Sequence, residues 1–255
     1  MSNIPKKVTE RFTKEVKKFQ RVLKKASAND INEADTVTIV VEILADVFGY
    51  DKFFEITSEY AIRNTYCDLA IKVENEVKYL IEVKSISLDL KENHLKQAVD
   101  YGAHEGIQWV MLTNGLVWQG YNISLKQTVE YEKIFEIDFM NINPRKNSDQ
   151  ELLFVLAKEG LNKDAISIYR ERVQSVNRYI LTALLLNQPT LDVFRRELRK
   201  LTPGLKVDTT EIEAIFKNEI IKRNVIEEDA FIEAQKRIKK VQNKLSRAKT
   251  KKESS

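Results

Sequence analysis

Tyr66-Cys67-Asp68-Leu69-Ala70-Ile71 and Leu80-Ile81-Glu82-Val83-Lys84 decide how this chain folds. Both runs are short, apolar and rich in β-branched residues. Charged residues around Asn75 separate them, which is the pattern of a β-hairpin. A turn centred on Asn75 pairs residues equidistant from it, so Val73 faces Val77, Ile71 faces Tyr79 and Asp68 faces Glu82. Side chains alternate between the two faces of a strand. One face therefore carries Leu69, Ile71, Val73, Val77, Tyr79, Ile81 and Val83, and is the core side of a sheet. The other carries Asp68, Ala70, Leu80, Glu82 and Lys84.

On that second face two carboxylates lie opposite each other with an ammonium two residues beyond. Neighbouring carboxylates raise each other's pKa unless a cation stands between them, and a divalent metal removes the conflict. Oxygen ligands that leave positions open for water suit Mg²⁺, bound partly through a phosphate substrate. Lys84 is then placed to stabilise charge on that phosphate, or to position or deprotonate a water. The competing reading is a solvent-facing hairpin with ordinary charges.

Asp68, a hairpin and Glu82-Val83-Lys84 together resemble the PD-(D/E)XK nuclease motif. The likeness runs from about Glu33 to Trp118 and is to the N-terminal nuclease domain of type I restriction enzyme R subunits, and to stand-alone type IV restriction nucleases. Cys67 stands where the family pattern has proline, at a slot that varies. The resemblance implies a restriction-endonuclease-like core with Asp68 and Glu82 as metal ligands. It also implies a contribution from a glutamate on the first core helix, where Asn32-Glu33-Ala34-Asp35-Thr36 is similar to that helix start. Glu33 is that candidate, and lies near the buried stripe on a helical wheel; Glu42 points to solvent. Alternatively Glu33 merely favours the helix dipole. Relatives carry Gln-x-x-x-Tyr on the helix after the lysine. Gln97 and Tyr101 match it, Gln97 to hold a phosphate or a metal-bound water and Tyr101 to contact the backbone. Thr113-Asn114-Gly115 followed by Trp118 is similar to a further family signature, read here as architectural.

Length and composition agree with these expectations. At 255 residues the chain holds one large domain or two small ones. It has no apolar run long enough to span a membrane, and its start is basic and polar rather than that of a signal peptide. A single cysteine rules out an internal disulfide and fits a cytoplasmic protein. One cysteine and two histidines make a Cys/His zinc site or an HNH-type nuclease a poor fit. Cys67 reads as a packed side chain rather than a nucleophile, and His94 and His104 as surface residues. The net charge of +4 conceals basic ends around a mixed middle.

In chain order, Ile4 to Ala26 is an amphipathic helix with Val8, Phe12, Val16, Phe19 and Leu23 on one side. A second helix spans about Asn32 to Phe48. A strand lies within Phe53 to Arg63, followed by a turn at Asn64-Thr65 and the hairpin. A helix covers about Leu90 to Glu105, and Trp109 to Thr113 is a buried strand. Asn114-Gly115 is a two-residue hairpin signal, and Thr128 to Asp138 closes the sheet edge. The order predicts an α/β domain with a mixed central sheet flanked by helices over residues 1–145. An all-helical region follows over 146–255, for dimerisation or DNA binding. There, Leu152 to Lys158 is a helix stopped by Gly160, and Asp164 to Leu186 is one long helix. Thr210 and Glu213 form a capping box. The last helix, Asp229 to Arg247, is basic through Lys236, Arg237, Lys239, Lys240, Lys244 and Arg247, and Thr250 to Ser255 frays.

The expected function is a divalent-metal-dependent DNA endonuclease of restriction or host-defence type, with Asp68, Glu82, Lys84 and Gln97 catalytic. Asp68, Glu82 and Glu33 would hold Mg²⁺, with Mn²⁺ as a substitute. The partners expected are DNA and a second copy of the chain through the C-terminal helices, with no membrane. Two alternatives stand beside it: a catalytically silent nucleic-acid-binding or regulatory protein on the same scaffold, and an interaction subunit of a larger restriction assembly. No helicase phosphate loop and no methyltransferase region is present in the sequence.

Overall fold

The computed structural model describes residues 4–62, 65–125 and 129–253. Asn64 of the expected turn, Thr128 of the expected edge strand and the side chain of Arg247 lie outside the described residues. The chain divides into two compact units, Met1–Arg170 and Glu171–Ser255.

The first unit begins with α1 (Lys6–Ala28) and α2 (Glu33–Asp46). Spacings of three and four place Val8, Phe12, Val16, Phe19 and Leu23 on one side of α1, and all five are buried. Burying each such side chain contributes about 1.5–3 kcal/mol. Asn32 caps α2 by accepting the Asp35 N–H, the role for which asparagine is favoured at that position. Six strands follow: β1 (Ile56–Ile62), β2 (Thr65–Val73), β3 (Glu76–Val83), β4 (Trp109–Thr113), β5 (Val117–Leu125) and β6 (Val129–Asp138). They lie in the sheet in sequence order. Every neighbouring pair is antiparallel except β3 and β4, which run parallel. Parallel neighbours need a crossover, and α3 (Lys96–Glu105) supplies it after a 3-10 turn at Glu92–Leu95. This is the mixed sheet with flanking helices that the order of elements predicts.

The hairpin register is Leu69↔Ile81, Ala70↔Leu80 and Ile71↔Tyr79, as the alternation requires. Nearer the turn it differs. Glu74 and Asn75 both have positive φ, +54° and +64°, the arrangement of a two-residue turn whose twist matches the strands. The turn is centred between them rather than on Asn75. A register shift after Ile71 absorbs the difference, so Val73 pairs with Glu76 instead of Val77.

Both faces of the sheet are covered. Leu69, Ile71, Val73, Tyr79, Ile81 and Val83 pack with α1 and α2 in the larger core. Ala70 and Leu80 pack with Val110, Leu112 and the α3 residues Leu95, Ala98 and Val99 in a second core, against which Val77 also lies. The face carrying the charges is therefore interior over most of its length, and does not face solvent as the competing reading required. Gly102 permits the close approach of α3, since a Cβ there would stand 2.5 Å from Ile123 Cδ1. Asn114-Gly115 is not a two-residue turn: the connection spans 114–116, and only Gly115 takes a positive φ, of +82°.

The first core continues past residue 145. α4 (Asn147–Leu156) and α5 (Lys158–Leu161) bring Leu153, Phe154, Val155, Leu156 and Ala157 into it. Gly160 lies within α5 and does not end a helix before it. Arg11 fastens this extension by donating to both Glu159 carboxylate oxygens, at 2.8 and 2.7 Å, and to Val47 O at 2.9 Å. The compact units consequently divide after Arg170 rather than at 145.

The expected long helix Asp164–Leu186 is two helices, α6 (Ala165–Ser175) and α7 (Arg178–Leu185). Asn177 breaks it by capping the Tyr179 and Ile180 N–H groups. In the second unit α8 (Gln188–Leu201), α9 (Thr209–Ile215), α10 (Arg223–Glu227) and α11 (Asp229–Glu253) follow. Asp208, two residues before Thr210 and in extended backbone, caps α9 by accepting the Thr210 N–H, in place of the expected Thr210–Glu213 box. α11 is assigned up to Glu253, and Ser254 and Ser255 of the segment expected to fray lie outside the described residues. Ala183, Phe231 and Ala234 form a small core of this unit. No helix among the described residues is long and apolar enough to cross a membrane.

Candidate active site

The β2–β3 ladder ends at the pair Leu69↔Ile81. Just beyond it, where a strand partner is missing, the Asp68 carboxylate accepts the backbone N–H of Val83 through Oδ2 at 2.7 Å. Val83 is the residue between Glu82 and Lys84, so one side chain of β2 fixes the strand that carries the other two. On the opposite edge β4 holds the same segment: Val83 pairs with Thr113, and Lys84 N donates to Thr113 O at 2.8 Å.

Lys84 Nζ lies 2.7 Å from Glu82 Oε1 and 3.8 Å from Glu33 Oε2 on the first turn of α2. Both Lys84 and Glu82 side chains are largely shielded from solvent. Burial is the largest influence on Glu82 and pushes its carboxyl up. The Lys84 hydrogen bond opposes this, but the charges of Asp68 and Glu33 help leave the carboxyl above its ordinary range. Burial pushes Lys84 down, but its bond to Glu82 and the charges of Glu82, Asp68 and Glu33 outweigh it, so the ammonium is held more firmly than usual. An ion pair alone would lower the acid while raising the base; the raised acid records burial and the crowding of negative charge.

Four of the expected residues thus come together: Asp68, Glu82, Lys84 and Glu33. Glu33 does so from an exposed position, not from the buried side of α2; the first turn stands clear of the core, which begins at Thr36. Its carboxylate faces the Lys84 ammonium. Gln97 reaches β2 from α3, donating to Tyr66 O at 3.3 Å and to the Tyr101 hydroxyl at 2.8 Å. Among the described residues no three Asp, Glu, His or Cys side chains are grouped as a metal site. The fit to a divalent cation therefore rests on Asp68 and Glu82. They are a pair of hard oxygen donors, and Glu82 carries the raised pKa that neighbouring negative charge helps produce. Such a pair suits Mg²⁺ with water in the remaining positions.

Cys67 is buried, and burial with the charges of Glu82 and Asp68 pushes its thiol up to about 12. A thiol so rarely ionised is no nucleophile.

Asn114 has a part that the sequence reading assigned only in general terms. Its side chain donates to Ile86 O at 3.4 Å and Leu88 O at 3.0 Å. It accepts from Leu116 N at 3.1 Å and Val117 N at 2.9 Å. It thereby ties the segment that follows Lys84 to the β4–β5 connection. Polar Thr113 and Asn114 inside an otherwise apolar run, Val110 to Trp118, were the available signal.

Residues 35–137 match the family model of the type I restriction enzyme R protein N terminus. They form a restriction-enzyme-related domain. The match takes in β1 to β5, α3, β6 except its last residue and all but the first residues of α2, and so includes Asp68, Glu82, Lys84 and Gln97; Glu33 lies just before it. No curated protein and no solved structure matches the chain. The restriction-enzyme-related domain is the segment that supplies both strands of the hairpin and the β4 edge that braces Lys84.

Proposed function

We propose that the first unit is a divalent-metal-dependent endodeoxyribonuclease serving restriction-type host defence. The observation that carries the reading is the Lys84 ammonium 2.7 Å from Glu82 on the strand that Asp68 holds in place. The match to a restriction enzyme R protein N terminus supports it.

Asp68 and Glu82 would hold Mg²⁺ or Mn²⁺, which would supply a Lewis acid for the phosphate and charge neutralisation for the leaving oxygen. Lys84 has three donors; with one on Glu82, others point a phosphate oxygen or the attacking water into line. Its raised pKa keeps it a cation, so it stabilises charge on the phosphorane and does not take up a proton. Glu33 faces the same ammonium and limits its freedom. Gln97 gives both amide N–H groups to Tyr66 O and Tyr101 and so leaves its carbonyl oxygen to accept from a metal-bound water.

The test is incubation of the chain with linear and circular duplex DNA in Mg²⁺ or Mn²⁺, with EDTA as the control. Metal-dependent cutting that disappears in both Glu82→Ala and Lys84→Ala supports the reading. Undiminished cutting by both variants overturns it. Binding without cutting by the native chain favours a silent scaffold.

A further inference from the structure

We infer that α11 is a sequence-independent docking surface for the phosphate backbone of a nucleic acid. Residues 171–255 hold 19 Lys and Arg against 12 Asp and Glu, whereas residues 1–170 hold 23 against 26. The positive charge of the whole chain therefore belongs to the second unit. Within it the charge is concentrated: residues 234 to 252 contain nine Lys and Arg and no acid.

The helix sorts these residues by face. At about 100° per residue, Lys236, Lys239, Lys240, Asn243 and Lys244 fall within an arc of about 140°. They stand side by side on one exposed face of α11. Phe231, Ala234 and Ile238 lie on the other side, packed with Tyr179 and Ile180 of α7. Arg237 sits at the edge of the stripe and is turned back to Gln174 O at 2.9 Å, so it serves the fold. Lys236 pairs with Glu233 at 2.7 Å in full solvent, an interaction of little strength that a phosphate can displace. No ion pair is present for Lys239, Lys240 or Lys244 among the described residues. From Lys236 to Lys244 the stripe spans about 12 Å, over which duplex DNA presents several phosphates.

The same sorting selects the partner. A helix that lies on a membrane inserts its apolar face, and here Phe231 and Ala234 are already buried. Lysines are point charges without the paired donors of arginine, so the surface reads charge density and not base sequence. The inference rests on the reading of this chain as one that acts on DNA, and adds a second place where the backbone is held.

The experiment is equilibrium binding of the full chain to a short duplex of mixed sequence, in EDTA so that cutting plays no part, across a salt series. The quadruple variant Lys236→Gln, Lys239→Gln, Lys240→Gln, Lys244→Gln is expected to bind at least about tenfold more weakly at about 0.1 M salt. Its log–log salt slope should be shallower by about 3.6, near 0.9 for each of the four phosphates that the variant no longer neutralises. The Lys→Arg quadruple variant should bind like the native chain. Unchanged affinity and slope in the Gln variant overturn the inference, as does binding to phosphatidylserine vesicles in preference to DNA. Native binding without cutting would overturn the nuclease and leave the docking surface intact. Cutting with the salt slope unaltered by the four substitutions would do the reverse.

Discussion

Asp68 Oδ2 accepts the backbone N–H of Val83 at 2.7 Å, and so occupies the place where the β2–β3 ladder runs out. One carboxylate has two tasks there, an acceptor for the strand and a charge for the site, and substitution separates them. Asp68→Asn keeps an acceptor and should leave the urea midpoint nearly unchanged while removing metal-dependent cutting. Asp68→Ala leaves the Val83 N–H without its partner and should cost about 1–3 kcal/mol in addition. Cutting by Asp68→Asn at the native rate would assign the residue to the fold alone.

Lys84 is expected to show the opposite balance. Lys84→Met preserves the stem and its packing but leaves Glu82 shielded without its cation. Cutting should fall by about 10² or more, the scale for removing one preorganised group that stabilises developing charge. DNA affinity measured in Ca²⁺ should change far less. Loss of affinity with the turnover rate unchanged would mean that the ammonium binds substrate and transition state alike.

The pH dependence follows from the sign of two shifts. Glu82 is raised in the folded chain, so the fold holds a proton that the unfolded chain gives up. Its contribution is present at acid pH and is lost as pH rises through its raised value, above 4.5. Glu159 is the reverse. Burial pushes it up, but the Arg11 hydrogen bonds win and lower it, so its contribution is lost as pH falls below the ordinary range. Urea midpoints of Glu82→Gln against native chain should therefore gain on the native as pH rises from 4 toward 7. Those of Glu159→Gln should fall behind it over the same interval.

Asn114 tests positioning. Asn114→Ala removes four hydrogen bonds around the segment after Lys84 and touches no reacting group. Stability should drop by about 2–3 kcal/mol, the cost of leaving buried backbone groups unpaired. At a temperature where the variant is fully folded, the turnover rate should fall more than DNA affinity does. Native turnover would confine Asn114 to stability.

The extent of the first unit is open to truncation. A chain ending at Arg170 retains Leu153, Phe154, Val155 and Leu156 and the Arg11–Glu159 pair, and should unfold cooperatively. One ending at 145 exposes the core face those residues cover and should be aggregated or unfolded by circular dichroism. Gly160→Ala in the full chain should destabilise it by about 1–3 kcal/mol, because a Cβ there would meet Phe154 O at 1.8 Å.

What the sequence settled by itself was whatever depends on local periodicity. The stripe from Val8 to Leu23, the alternation that puts Asp68 and Glu82 on one side and Ile71 and Ile81 on the other, and the crossover helix are all written in spacings of two, three and four. The charged triad was legible for the same reason, since a hairpin brings distant numbers together by a simple rule. Tertiary structure alone decided the rest. It buried the second face of the sheet under α3, it carried the core past residue 145 through Phe154 and Glu159, and it turned Glu33 toward Lys84. It also aimed Asn114 at the carbonyls of Ile86 and Leu88. Each of these joins segments far apart in the chain, where burial and charge pairing depend on which surfaces meet, and no local pattern records that choice.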